Sequence, residues 1–183
     1  PIKDVKTMIY AFFELHERLP KVRLHIMGGV DDEEYGAECH ALVETLGVRD
    51  LIFTGRVNVV EYMEKLDFTI LTSISEGQPL SVLESLAARR PCVTTEVGCC
   101  RELLEGAPGD DFGVAGFVTP PMYRKGLADA MERMCTSRAR RIEMGERGQR
   151  RVATYFLHEQ MLANYRALYD ETARAFDLPR EGE

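Results

Sequence analysis

Short apolar runs alternate along this chain with longer stretches of helical periodicity, and no other feature restricts the fold as much. The runs fall at 22–27, 51–54, 68–72, 92–95 and 116–119. Each is short and bounded by turn-forming or polar residues, so each reads as a strand. Asp4 caps a helix reaching about Leu19, with Val5, Met8, Ile9 and Phe12 on one stripe, Phe13 widening it and Pro20 stopping it. An acidic start at 31–34 opens a second helix, with Leu42, Val43 and Leu46 inward and Gly47 at its end. Further helices are expected near 60–66 and 79–88, and helices fill the chain beyond 119, broken near Thr136-Ser137 and Phe156-Leu157. Such alternation predicts a parallel sheet with helices on both faces. The expected fold is α/β, a Rossmann-like three-layer α/β/α sandwich with a mainly parallel sheet. The segment 104–114, rich in Gly and Asp, is expected to be a mobile loop.

A length of 183 residues suffices for one such core, so 1–183 is expected to form a single domain. The net charge of −7 argues against a general affinity for nucleic acid. No apolar run approaches the ~20 residues of a bilayer span, and no signal-peptide pattern opens the chain. The cysteines Cys39, Cys92, Cys99, Cys100 and Cys135 are odd in number and irregular in spacing. Reduced thiols and a cytoplasmic location account for them, with Cys99 and Cys100 as local packing. The start at Pro1, without a methionine, is expected of a fragment.

In a doubly wound fold, ligands bind beyond the carboxyl ends of the strands. That directs attention to Gly28-Gly29, to Gly55-Arg56-Val57, to the loop from Ser73 to Gln78 and to Glu96-Val97-Gly98. The segment Ser75-Glu76-Gly77-Gln78-Pro79-Leu80-Ser81-Val82-Leu83-Glu84 stands out. It sets Glu76 on a loop and Glu84 on the following helix, an E-x7-E spacing, with a glycine that lets a ligand approach the backbone. Amides at Gly77, Gln78, Leu80 and Ser81 can face an anion at a helix start, and two carboxylates suit the paired hydroxyls of a sugar or ribose. Spacing by itself equally describes a helix cap at Glu76 and a solvated Glu84.

The surrounding residues add a resemblance. From Pro1 to about Tyr169 the chain resembles the C-terminal domain of retaining glycosyltransferases of family 4, of the two-domain GT-B architecture. The pieces that carry it occur in order: Pro1-Ile2-Lys3-Asp4-Val5-Lys6-Thr7, Phe53-Thr54-Gly55-Arg56-Val57, the E-x7-E segment, Ala87-Ala88 with Pro91, Glu96-Val97-Gly98-Cys99-Cys100-Arg101-Glu102-Leu103, and Gly116-Phe117-Val118 with Pro120-Pro121. Within that family it is most similar to PelF-type enzymes of bacterial exopolysaccharide synthesis. The resemblance implies that Glu76 faces the hydroxyls of the donor sugar and that Glu84 binds the nucleotide ribose. It implies that amides at Gly77, Gln78, Leu80 and Ser81 hold the sugar and diphosphate. Lys3 would neutralise the diphosphate as it departs, Val57 would lie at the base, and Gly28 and Gly29 would line the cleft. No metal or other cofactor is expected, since such enzymes stabilise the leaving group with fixed donors and positive charge.

The implied partners are a nucleotide-sugar donor, a UDP-sugar, and a glycan or lipid-linked acceptor held by the missing N-terminal domain. A membrane-associated synthase complex and a peripheral place at the inner membrane face go with them. Three departures stand out: the family's arginine upstream of Lys3 and the N-terminal domain are not in this chain, and Arg89 replaces a glycine. The first two lead us to expect the chain alone to be inactive. Two other functions fit the same architecture, a sugar-nucleotide epimerase and a noncatalytic nucleotide-binding subunit. An NAD-binding domain is disfavoured because no G-x-G-x-x-G follows a strand. The acidic run 31–34 reads as a solvated helix start and not a metal site. Arg138, Arg140, Arg141, Arg147, Arg150 and Arg151 read as a solvated face, interleaved with Glu143 and Glu146. His16, His25, His40 and His158 are assigned no role. The helix expected at 158–176 carries Met161, Leu162, Tyr165, Leu168 and Tyr169 on one stripe, which is expected to pair two copies of the chain.

Overall fold

The computed structural model describes residues 1–176 of the chain. The elements in order are α1 (Val5–Arg18), β1 (Leu24–Met27), α2 (Glu33–Leu46), β2 (Leu51–Gly55), α3 (Val59–Met63), β3 (Thr69–Leu71) and α4 (Leu80–Ala87). They continue with β4 (Cys92–Thr95), α5 (Cys100–Glu105), β5 (Gly116–Thr119), α6 (Arg124–Cys135), α7 (Arg138–Tyr155) and α8 (His158–Ala175). The helix boundaries follow local chemistry. Asp4 accepts a bond from the Thr7 amide and Asp32 one from the Tyr35 amide, each satisfying an amide that has no partner inside its helix. The acidic run 31–34 is therefore a helix start. Gly47, at φ 62°, closes α2 by donating to the Val43 and Glu44 carbonyls. On α2, Cys39 is fully buried, while Leu42, Val43 and Leu46 are half-buried.

All strand pairs are parallel, as expected. They do not join into one sheet: β1 pairs with β2, and β3, β4 and β5 form a second ladder. Within that ladder, successive side chains serve opposite faces. Val93 packs with Phe12, Leu15, Leu127 and Met131, and Ile70 and Phe117 join it. Cys92 packs with Val82, Leu86, Leu103 and Leu104, and Leu71 and Val118 join that side. The period of two thus produces three layers, with α1 and α6 on one face and α4, α5 and α7 on the other.

The structure corrects the reading of 104–114 and of the arginine face together. Leu103 and Leu104 lie fully buried at the end of the short helix α5. The loop after them is fastened to α7 by Arg151, whose side chain is 1% exposed. Arg151 donates to both Asp110 carboxylate oxygens (2.5 and 3.1 Å) and to the carbonyls of Leu103, Leu104 and Gly113. Those five bonds match the five N–H donors of a guanidinium, so the buried charge is fully satisfied. Arg141 also leaves the solvated face, donating to the Met134 and Cys135 carbonyls and to Asp67. The remaining pattern holds in part: Arg147 pairs with Glu143 on the outside of α7.

Helix α7 reaches α4 closely because two of its residues lack side chains. A Cβ at Gly145 would stand 2.2 Å from the Arg89 carbonyl oxygen, and one at Gly148 would stand 2.5 Å from a Leu86 methyl. Arg89 itself adopts φ 58°, the left-handed geometry that a glycine in its place would take without strain. An L-residue there is strained by ~1–2 kcal/mol, and the exposed Arg89 side chain makes no compensating bond among the described residues. Arg89→Gly is therefore expected to raise stability by about 1 kcal/mol and Tm by roughly 2–4 °C, read by thermal unfolding. An unchanged or lower Tm would show that the strain is relieved elsewhere.

Helix α8 has no buried residue, and Tyr165, Leu168 and Tyr169 are all more than half exposed. No helix among the described residues is long and apolar enough to cross a membrane.

Candidate functional site

The carboxyl ends of the strands converge on the loop between β3 and α4. Its anchor is the start of the chain: the Ile74 amide donates to the Ile2 carbonyl (2.9 Å), and the Thr72 hydroxyl donates to the Lys3 carbonyl (2.7 Å). These bonds carry Lys3 over the loop, where its ammonium donates to Glu76 at 2.5 Å. The same carboxylate oxygen of Glu76 accepts from the Ser73 hydroxyl at 2.7 Å. Partial burial raises the Glu76 carboxyl, but the bonds from Lys3 and Ser73 and the Lys3 charge outweigh it. The carboxyl therefore lies below its ordinary range and is ionised at neutral pH.

Beyond Glu76 the loop enters α4 through Pro79, which caps without a side-chain bond. Asp4, Asp32, Asn58 and Ser137 close other helix starts with their own oxygens, whereas α5 and α6 share with α4 the lack of a side-chain cap. The start of α4 is left open, and Leu80 and Ser81 in its first turn are exposed. Their amides find no acceptor among the described residues, as is general for the first amides of a helix. Gly77 and Gln78 are exposed beside them. Free amides and the positive helix end, with the Lys3 ammonium held on Glu76 in the same loop, are groups that can attract an anion.

A second loop fixes the first from behind. Gly98, at φ 50°, packs so closely that a Cβ would stand 2.1 Å from the Gly77 carbonyl oxygen and 2.5 Å from that of Glu76. The Cys99 amide donates to the Gly77 carbonyl (3.0 Å), and the Thr95 hydroxyl donates to the Ser73 carbonyl (2.5 Å). The sequence pointed to the loop 96–98 without a task for it, and it placed Ser73 in a loop and Thr95 in a strand without giving either a role. The signal for Ser73 was available, a hydroxyl three residues before a loop carboxylate. That for Thr95 was not, because it acts across 22 residues.

Cys99 and Cys100 belong to this buttress. All five cysteines are free. Burial pushes the Cys99 and Cys100 thiols up and Cys92 to about 11, so they remain protonated at neutral pH. Among the described residues no three His, Cys, Asp or Glu side chains gather into a metal-binding group.

A cleft of about 1240 Å³ opens below these loops. Its walls carry Lys3, Gly28, Gly29 and Ser81 among the residues expected at the site, and Glu76 reaches it through Lys3. Gly28, at φ 131°, lets the chain turn away from β1. Arg56 stands against Gly29, its Nε 3.0 Å from where a Cβ would be. That places a second cation near the cleft, in a loop that the sequence pointed to without giving Arg56 a role. Glu84, Gly77, Gln78, Leu80 and Val57 are not part of the cleft wall; Glu84 is exposed on α4 and Val57 half-buried after β2.

Comparison with known proteins agrees with this geometry. The family described as "Glycosyl transferases group 1" matches residues 1–137. N-acetyl-alpha-D-glucosaminyl L-malate synthase of Bacillus anthracis is 26% identical over 175 residues, covering 94% of this chain and 43% of that protein. Anabaena Alr3699/HepE, solved in complex with UDP, superposes with a TM-score of 0.79 at 21% identity, over 91% of this chain and 46% of the other. The C-terminal domain of the glycosyl transferase group 1 family protein LpcC from Francisella tularensis gives 0.73 at 20% identity, over 86% of this chain and 81% of that one. The chain thus spans less than half the length of the curated relative. Parallel strands, an open helix start above a cleft and a family match over most of the sequence agree, and the chain belongs to the group 1 glycosyl transferases, with the Rossmann-like fold of the C-terminal half of a GT-B enzyme.

Proposed function

We propose that this chain binds the nucleotide-sugar donor of a retaining glycosyltransferase, a UDP-hexose, and that the intact protein passes the hexose to a glycan or lipid-linked acceptor. The observation that carries this reading is the Lys3–Glu76 pair set beside the uncapped start of α4. The diphosphate takes the amides of Gly77, Gln78, Leu80 and Ser81 and the Lys3 ammonium. Glu76 accepts from hydroxyls of the hexose, and Glu84 accepts from those of the ribose. Val57 lies against the base, and Gly28 and Gly29 let the sugar and phosphates approach the backbone. As the bond from the anomeric carbon to the diphosphate oxygen breaks, negative charge grows on that oxygen. Lys3 and the amides stabilise it, so no resident metal is required. The acceptor belongs to an N-terminal domain and a further cation, an arginine, to the segment just upstream of Lys3; without the two, the chain binds donor but transfers nothing. PelF-like use in exopolysaccharide synthesis, at the cytoplasmic face of the inner membrane, completes the proposal.

UDP and UDP-glucose accompany solved relatives of this fold, and they are the ligands to titrate. Calorimetry with UDP, UDP-glucose, GDP and ADP is expected to show binding of the uridine species in preference to the others. Glu84→Ala should weaken it roughly tenfold, the worth of a hydrogen bond to a charged group. Equal affinity for all the nucleotides, or a Glu84→Ala chain that binds UDP as before, would remove the donor assignment.

A further inference from the structure

The loops around Glu76 stand at the carboxyl ends of the strands, and a concentration of positive charge lies at the amino ends. Asp67 comes just before β3, Arg89 and Arg90 just before β4, and Arg138 and Arg141 lie at the start of α7. These five side chains, with Ile142, line a pocket of about 190 Å³. Four guanidiniums against one carboxylate give its lining a formal charge of +3. Two of the four have structural tasks. Arg90 donates to the carbonyls of Met63 and Glu64 at the end of α3, and Arg141 to those of Met134 and Cys135 at the end of α6. Both satisfy helix-end carbonyls that carry partial negative charge. Arg141 also takes Asp67, the pocket's carboxylate.

Arg89 and Arg138 have no such task. Both are exposed, and neither guanidinium bonds to any group among the described residues. Arg89 is also the residue whose backbone, at φ 58°, carries a strain that glycine would avoid. Helix α7 holds it there, because Gly145 packs against the Arg89 carbonyl. Strain, repulsion among four like charges and two idle guanidiniums each disfavour the fold. One occupant accounts for all three, an anion in the pocket.

We infer that this pocket binds a phosphate monoester, gripped by Arg89 and Arg138 over a positive floor formed by Arg90 and Arg141. Charge selects the class: a phosphate monoester carries about −1.5 to −2 at pH 7 and offsets most of the lining's excess. The residue type agrees, since all four cations are arginine, whose planar fork binds phosphate oxygens two at a time, and none is lysine. Size sets the limit. Pockets that enclose whole drug-sized ligands run to roughly 300–1,000 Å³. This one is smaller, so it takes the phosphate end and leaves the rest of the ester outside. The site lies at the opposite ends of β3 and β4 from Glu76, and it does not depend on the donor assignment.

The test is a titration with inorganic phosphate, at an ionic strength held constant with chloride, read from the arginine Nε–Hε signals by NMR. Arg89→Gly and Arg138→Ala each remove one signal and so assign it. Phosphate is expected to shift both signals in the parent chain, and each substitution should weaken its affinity roughly tenfold, the worth of a charged hydrogen bond. Neither variant removes a bond that the fold uses. Arg89→Gly should also give two readings of opposite sign, a higher Tm in chloride and a smaller rise in Tm when phosphate is added. Lys3→Ala should leave the Arg89 and Arg138 signals responding as in the parent, which separates this pocket from any phosphate held at the start of α4. Signals that stay still, that chloride moves as far as phosphate does, or that report unchanged affinity in both variants overturn the site. Glycerol 3-phosphate and phosphatidylcholine vesicles with and without phosphatidic acid then identify the source. Binding of the soluble ester without vesicle attachment assigns a free phosphate ester. Sedimentation with the phosphatidic acid vesicles alone, lost in both variants, assigns a lipid headgroup. Binding of neither overturns the monoester.

Discussion

Replacing Arg151 with methionine is expected to cost about 3–5 kcal/mol of stability, a fall in Tm of roughly 10 °C, although the residue lies far along the chain from the loop it holds. The reason is the partner left behind. Asp110 is 4% exposed and its carboxylate takes two of the five Arg151 bonds. Without the guanidinium, the buried Asp110 carboxylate keeps only the bond from the Phe112 amide and loses its counter-charge, and the Leu103 and Gly113 carbonyls lose the Arg151 donor, while Leu104 keeps the Ala115 amide. Asp110→Asn should cost less, since the amide still accepts one bond. Arg151→Met combined with Asp110→Leu should recover part of the loss, because no unpaired charge remains. A double-mutant cycle by urea unfolding measures this, and additive losses would contradict it.

The same pair makes a prediction about pH. The bonds from Arg151 hold the Asp110 carboxyl below the ordinary carboxylate range, against burial that raises it. A carboxyl depressed in the folded state adds stability above its unfolded value, about 4, and that stability is lost as pH falls below it toward the folded value. Asp110→Asn should therefore show a shallower loss of stability below about pH 4 than the parent chain.

The second large effect is expected at Gly98, which carries no charge and reaches no ligand in the proposed chemistry. Gly98→Ala adds a methyl that would stand 2.1 Å from the Gly77 carbonyl oxygen, in a backbone at φ 50°. Part of the cost is left-handed strain, ~1–2 kcal/mol. The rest is displacement of the loop that presents Glu76 and the amides of Gly77 and Gln78, with loss of the bond from Cys99 to Gly77. A shift of an ångström in such groups is enough to weaken UDP binding about tenfold or more. Gly109→Ala is the matched control: its φ is 92°, and nothing lies within 4 Å of the added methyl. It should show the strain in thermal unfolding and bind UDP normally. If both variants bind UDP as the parent does, the contact between the two loops does not set the donor site.

Much of the fold was legible because its signals are local. Five strands and the breaks at 136–137 and 156–157 follow from runs of apolar residues and from punctuation within a few residues. Asp32 and Gly47 mark the ends of α2 for the same reason. The segment 104–114 misled because its composition, Gly and Asp, is that of a mobile loop. Its order comes from Arg151, 41 residues beyond Asp110, and nothing local distinguishes a buried guanidinium from a solvated one on an arginine-rich helix. Helix α5 was missed for a related cause, being six residues long and held by burial of Leu103 and Leu104 rather than by propensity.

The candidate site divides the same way. Glu76, Gly77 and the open start of α4 lie within one short segment, so their spacing and the proline before the helix were enough to locate them. What the linear order could not determine is that Lys3 stands 2.5 Å from Glu76, 73 residues away, or that Gly98 supports the carbonyl of Gly77. Nor could it show that β1 and β3 stay apart around an apolar cleft. Helix periods, strand runs and caps depend on neighbours within about four residues, and the chain carries them wherever it goes. Ion pairs, loop buttresses and strand order depend on which elements meet after the crossovers have been made, and that only tertiary packing decides.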